Sequence, residues 1–124
     1  NVVNNFGDFS IFIESSAPFT FKNININNND AGGIYTFTSS LFGTHLINVT
    51  IANNNSTALK VEGGLVILQN SIVANNNGYY TVYVSGDLMV LNGVLVNNHN
   101  SDDVISGYSD WGDNFPATIM NSVI

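Results

Sequence analysis

Nine carboxylates and two lysines carry the formal charge of this 124-residue sequence, which has no arginine and no cysteine. Asp102-Asp103 is the one adjacent acid pair. Coupled carboxylates can split their pKa values for acid–base work, and a glycosidase needs such a pair facing across a cleft. Neighbouring residues on a strand face opposite ways, and no cation for an acidic sugar lies near in sequence. A solvated loop pair is therefore favoured over a catalytic one. Further on, Asp110, Asp113 and Asn114 are hard oxygen ligands of the kind Ca2+ takes, in a spacing that matches no standard calcium loop. Tyr108 and Trp111 share that segment and are candidate contacts for a sugar face or a partner protein. The competing expectation is that Trp111 and Phe115 fold down over the side of the molecule. His45 and His99 sit in separate corners and are expected to be bystanders. With no cysteine there is no disulfide, thiolate metal site or cysteine nucleophile. No catalytic residue, no cofactor and no firm metal site is expected.

The elements that would position these groups follow from composition and repetition. Charged residues are only 9% of the chain and the net charge is -7. Nucleic acid and anionic membranes both need clustered cations, so neither is an expected partner. Apolar residues make up 44%, enough for a packed core. The apolar runs are too short for a membrane-spanning helix.

Twenty-two residues are Asn, mostly in spaced clusters such as 27–29, 53–55, 75–77 and 97–98. Regular spacing of this kind is the mark of a repeat architecture. Anchoring on Asn23, Asn48, Asn70, Asn92 and Asn121 gives steps of 25, 22, 22 and 29 residues. Two residues before each anchor stands an apolar side chain: Phe21, Leu46, Leu68, Val90, Ile119. Three after it stands Ile26, Ile51, Val73, Leu95 or Ile124, and five after comes another Asn at 28, 53, 75 and 97.

Each unit reads as three short runs of β-branched and aromatic residues. Corners of Asn, Gly and Ser, which tolerate sharp bends, separate them. No sustained helical period occurs and tight hairpin signals are missing. The expected fold is all-β, a right-handed parallel β-helix of about five turns of 22–29 residues with three short strands per turn. Equivalent strands would stack about 4.8 Å apart, and residues 1–124 would form one segment with incomplete turns at both ends.

By simple alternation each anchor Asn falls on the inward face. A buried amide needs partners, so Asn23, Asn48, Asn70, Asn92 and Asn121 are expected to form an inward Asn ladder. Three glycosylation sequons occur, at Asn48, Asn54 and Asn55. Asn54 and Asn55 are the candidate acceptors because they are expected at an exposed corner.

The apolar-x-Asn pattern with its Asn-rich corners resembles the right-handed parallel β-helix, or pectin-lyase-like, superfamily. The stretch from Phe19 to Ile34 also resembles surface repeats of polymorphic outer-membrane-type adhesins. Those repeats carry Gly-Gly-Ala-Ile and Phe-x-x-Asn. Here Ala31-Gly32-Gly33-Ile34 scrambles the first, and Phe21-Lys22-Asn23 shortens the second. Enzymes on this fold group Asp with Arg, Lys or His, a constellation missing here.

Open stacks of strand edges favour association. The expected role is a non-enzymatic structural or adhesive segment, extracellular or on a cell surface. Its expected partners are further copies end to end, flanking segments of a longer chain, or glycans. The alternative is a carbohydrate-active or carbohydrate-binding β-helix with an incomplete site.

Overall fold

The computed structural model describes residues 1–38, 43–99, 104–107 and 117–124. It is an all-β parallel solenoid of about four turns. Five anchors bound four intervals, which is why the chain completes about four turns and not the expected five.

Three walls recur in each turn. The first is built by β1 (Phe9–Ser15), β4 (Gly32–Thr38), the first half of β7 (Leu59–Gln69), the first half of β9 (Val82–Leu91) and β11 (Ile105–Gly107). The second is built by β2 (Phe19–Lys22), β5 (Thr44–Ile47), the later halves of β7 and β9, and β12 (Ala117–Met120). The third is β3 (Asn25–Asn27), β6 (Thr50–Ala52), β8 (Ile72–Ala74) and β10 (Val94–Val96), extended by isolated bridges at Val2 and Val123. All pairings are parallel, each strand with its equivalent one layer away.

The core consists of columns. Ile26, Ile51, Val73 and Leu95 stack on the third wall, and Leu46, Leu68 and Val90 on the second, all essentially buried. Ile34, Leu59 and Val82 do the same on the first wall. One layer cannot bury such residues alone, so stability accrues between neighbouring layers. Phe21, two residues before its anchor, joins the Leu46 column in register. Thr36 and Thr44 hold inward positions with hydroxyls that find no partner among the described residues. Their β-branched shape fits the columns that Val61 and Val66 continue.

Corners are fixed by backbone chemistry. Ten non-glycine residues in the described structure have positive φ, between 49° and 58°, and every one is Asn. Asn is among the few L-residues that visit the left-handed region readily, because its short amide bonds locally. The ten fall into two columns. Asn23, Asn48, Asn70, Asn92 and Asn121 turn the second wall into the third; Asn4, Asn28, Asn53, Asn75 and Asn97 turn the third into the first. Between the first and second walls, β7 bends at Gly63 and Gly64, with φ of 68° and 62°, and its register with β9 shifts there.

Candidate functional site

The five anchor amides occupy one corner, but on the outside, and all five are exposed. Asn48 Nδ2 donates to Asn23 Oδ1 at 3.1 Å, and Asn92 Nδ2 to Asn70 Oδ1 at 3.1 Å. The expectation of an inward ladder at Asn23, Asn48, Asn70, Asn92 and Asn121 is therefore corrected. Alternation by twos holds only in extended backbone, and a left-handed residue swings its side chain out of phase.

The inward ladder belongs to Asn5, Asn29, Asn54, Asn76 and Asn98, each one residue beyond the other left-handed column. The Nδ2 groups of the first four donate to the Oδ1 of the next layer: Asn5 to Asn29 at 3.0 Å, Asn29 to Asn54 at 2.8 Å, Asn54 to Asn76 at 2.9 Å and Asn76 to Asn98 at 3.0 Å. The same oxygens accept the backbone N–H groups of Asn5, Asn29, Asn54 and Asn76. The other amide hydrogens of Asn29, Asn54, Asn76 and Asn98 go to the carbonyls of Val2, Ile26, Ile51 and Val73. Asn29, Asn54 and Asn76 are almost wholly buried. For them every donor is used and each oxygen accepts twice, which is the condition for burying an amide cheaply.

The sequence held a signal for this column: a second Asn directly follows the fifth-after-anchor Asn in every layer. The structure also places the three sequon asparagines. Asn54 is buried with its amide committed to the ladder, so it does not sit at an exposed corner. Asn55 is exposed, its Nδ2 donating to Asp30 Oδ1 at 2.8 Å. Asn48, expected inside, is exposed.

Asp102, Asp103, Tyr108, Asp110, Trp111, Asp113 and Asn114 lie outside the described residues. Among the described residues no group of three or more His, Cys, Asp or Glu side chains converges as metal ligands do. No helix among them is long and apolar enough to cross a membrane.

A site that sequence did not single out lies on the outer face of the first wall. Register stacks Phe12, Tyr35, Lys60 and Tyr83 outward in successive layers. Beside them runs the corner carrying Asp8, Asp30, Asn55–Thr57 and Tyr79-Tyr80, and the two enclose a groove of about 780 Å³. Tyr79 and Tyr80 meet edge to face at 4.7 Å between centroids, and Tyr80 lies 5.2 Å from Tyr83. Phe12 and Tyr35 also meet edge to face, at 4.9 Å.

One polar knot ties this face together. Lys60 Nζ lies 2.8 Å from Glu62 Oε1 and 4.6 Å from the centre of the Tyr35 ring. The Tyr35 hydroxyl donates to Glu62 Oε2. That bond, partial burial and the charges of Glu62 and Glu14 push the Tyr35 pKa up from 10.0 to about 12. The bonds from Lys60 and Tyr35 hold the Glu62 carboxyl below its ordinary value of 4.5.

The signs follow from linkage. The Tyr35 contribution is complete below pH 10 and is lost as pH rises toward about 12. The Glu62 contribution is present above pH 4.5 and fades below it. In alkaline titration of phenolate absorbance, Glu62→Gln is expected to return one late-titrating tyrosine toward pH 10. Tyr35→Phe should delete that same late phase. An unchanged titration in both variants would mean the bond does not persist in solution.

The fold and its ladders define a class, a parallel β-solenoid with an inward, hydrogen-bonded Asn column. Comparison with protein-family models, with curated proteins and with solved structures found no match.

Proposed function

We propose that this chain is a non-enzymatic structural and adhesive segment of an extended extracellular β-solenoid, in which further layers of the same design continue the rod. One observation carries the reading: the inward Asn ladder makes the same amide bond at each of its four steps, in a stack whose outermost strands leave open edges. Among the described residues, β1 and β2 have a strand neighbour on one side alone, as do β11 and β12. The outer layers expose Val3 and Phe6 at one end and Ile119, Met120 and Val123 at the other. Unpaired parallel edges with apolar flanks template another layer. That layer comes from a second copy or from a flanking segment of the same polypeptide. The adhesive part of the proposal draws on the resemblance to outer-membrane-type adhesin repeats.

Sedimentation of the purified chain is expected to show masses above 13.3 kDa that grow with concentration, and electron microscopy to show elongated particles. Thr20→Lys combined with Thr118→Lys, both exposed and on edge strands, should stop that growth, because lysine on an edge opposes pairing. A chain that stays monomeric at every concentration would eliminate the second copy. Turnover of any member of a polysaccharide panel would overturn the non-enzymatic reading and restore the carbohydrate-active alternative.

A further inference from the structure

We propose that the groove along the first wall binds a neutral oligosaccharide, laid across the layers with its sugar faces on Tyr79 and Tyr83 and its hydroxyls on Asp8, Asp30, Ser56 and Thr57. The inference is independent of layer stacking: a monomer that binds glycan and a rod that does not are separate outcomes.

Three features of the groove point to this ligand. The first is shape. The lining spans the layers from Gly7–Phe9 to Tyr79–Tyr83. At about 4.8 Å per layer that is on the order of 15 Å, long enough for a short oligosaccharide.

The second is surface chemistry. A pyranose ring has apolar C–H faces and a rim of hydroxyls, so its site needs aromatic planes beside polar groups. Tyr79 is 60% exposed although it leans on Tyr80, which in turn lies near Tyr83. The rings stand at angles, 88° between Tyr79 and Tyr80 and 36° between Tyr80 and Tyr83, so Tyr79 and Tyr83 offer two separate aromatic faces, each held at little entropic cost because a tyrosine has few rotatable bonds. The same corner, in the layers beside Tyr79, carries the polar residues Asp8, Asp30, Ser56 and Thr57 of the groove lining.

The third is charge. Asp8, Asp30 and Glu62 face a single ammonium, Lys60, which already pairs with Glu62 at 2.8 Å. A uronate or sulfated sugar would meet excess negative charge, while a neutral sugar can donate its hydroxyls to those carboxylates. Charge-assisted bonds of this kind are the stronger ones.

Calorimetric titration with short cello-, xylo-, manno- and chito-oligosaccharides tests the proposal, with oligogalacturonate and tetramethylammonium as the anionic and cationic probes. At least one neutral probe is expected to bind. Tyr79→Ala should weaken that binding about tenfold, a typical worth for one aromatic contact, and lower the melting temperature by no more than a few degrees, since the ring is 60% exposed and packs only edge to face on Tyr80. Tyr83→Ala should act in the same direction. Failure of every neutral probe overturns the proposal. So does binding that Tyr79→Ala leaves intact, or tighter binding of either charged probe.

Discussion

Asn54→Asp is expected to cost about 4 kcal/mol at pH 7, the range seen when a buried charge is left without a partner. The substitution keeps shape and changes one group. Asn54 Nδ2 donates to Asn76 Oδ1 at 2.9 Å and to the Ile26 carbonyl at 3.3 Å. An aspartate would aim a second oxygen at both acceptors, in a site that is 1% exposed. The acceptor side is unharmed, since the other oxygen still receives the N–H and Nδ2–H of Asn29. Burial and like-facing oxygens therefore raise the folded-state pKa of the new carboxyl above its unfolded value of about 3.9. Below that pH the acid is neutral in both states and keeps one donor. As pH climbs from there to the raised value, stability falls by about 1.4 kcal/mol per pH unit.

Urea unfolding from pH 3 to pH 8 should thus show the variant approaching wild type in acid and diverging from it above. Asn54→Ala should be destabilised by about 3 kcal/mol with no such slope, because it strands buried donors without adding charge. Asn70→Asp is the matched contrast. Asn70 is exposed and left-handed, and its oxygen only accepts, from Asn92. Aspartate tolerates the same backbone, so the change should be within about 0.5 kcal/mol of zero. Equal losses at positions 54 and 70 would mean that the inward column carries no special share of stability.

That contrast also marks where the sequence was legible. Walls and columns were readable because extended strands obey a period of two and each layer repeats it, as Phe21, Leu46, Leu68 and Val90 show. The corners were not. Asn23 follows Lys22 and Phe21 in an apparent in–out–in pattern, yet its φ of 58° breaks the alternation. Asn29 comes directly after Asn28, whose φ is 55°, and the same break turns it inward. The clusters thus combine two roles, one Asn bending the chain and the next closing the ladder. Composition shows the abundance but not the division of labour.

The groove was hidden for a different reason. Tyr35, Lys60 and Tyr83 are separated by 25 and 23 residues, and only register places them in one column. Tyr79-Tyr80 was visible as a doublet but had no partner in sequence. Once the wall register is known, the doublet and the column become one face. On a solenoid, side-by-side chemistry is set by layer length: a one-residue change in a turn would flip Lys60 inward and move the ammonium off the Tyr35 ring. The Gly63–Gly64 bend takes up one such extra residue opposite Gly86, after the Lys60–Glu62 pair, and so leaves the face intact.

Layer spacing itself sets the second large effect. Gly33→Ala is expected to cost about 3 kcal/mol, the upper part of the range for overpacking, and to lower the melting temperature by on the order of 10 °C. A methyl at Gly33 would stand 2.2 Å from the Ala58 carbonyl oxygen and 2.4 Å from Ile51 Cγ2. Alanine has no side-chain torsion to turn away. The oxygen cannot retreat easily either, because it accepts the Ile34 N–H at 2.9 Å, next to the bond from Gly33 N–H to the Thr57 carbonyl at 3.1 Å. Relief requires the two layers to part, which loosens both bonds and the Ile34–Leu59 contact beneath them. Gly93→Ala provides the comparison. Its nearest obstacle is Val90 Cγ1 at 2.5 Å, a side-chain methyl, with nothing else closer than 3.7 Å. A methyl group can shift where a bonded carbonyl cannot, so Gly93→Ala should cost about 1 kcal/mol. Thermal unfolding of the two variants side by side checks the difference. If Gly33→Ala melts with wild type, the layers around Ala58 must be spaced more widely in solution than the backbone bonds at Gly33 and Ile34 require.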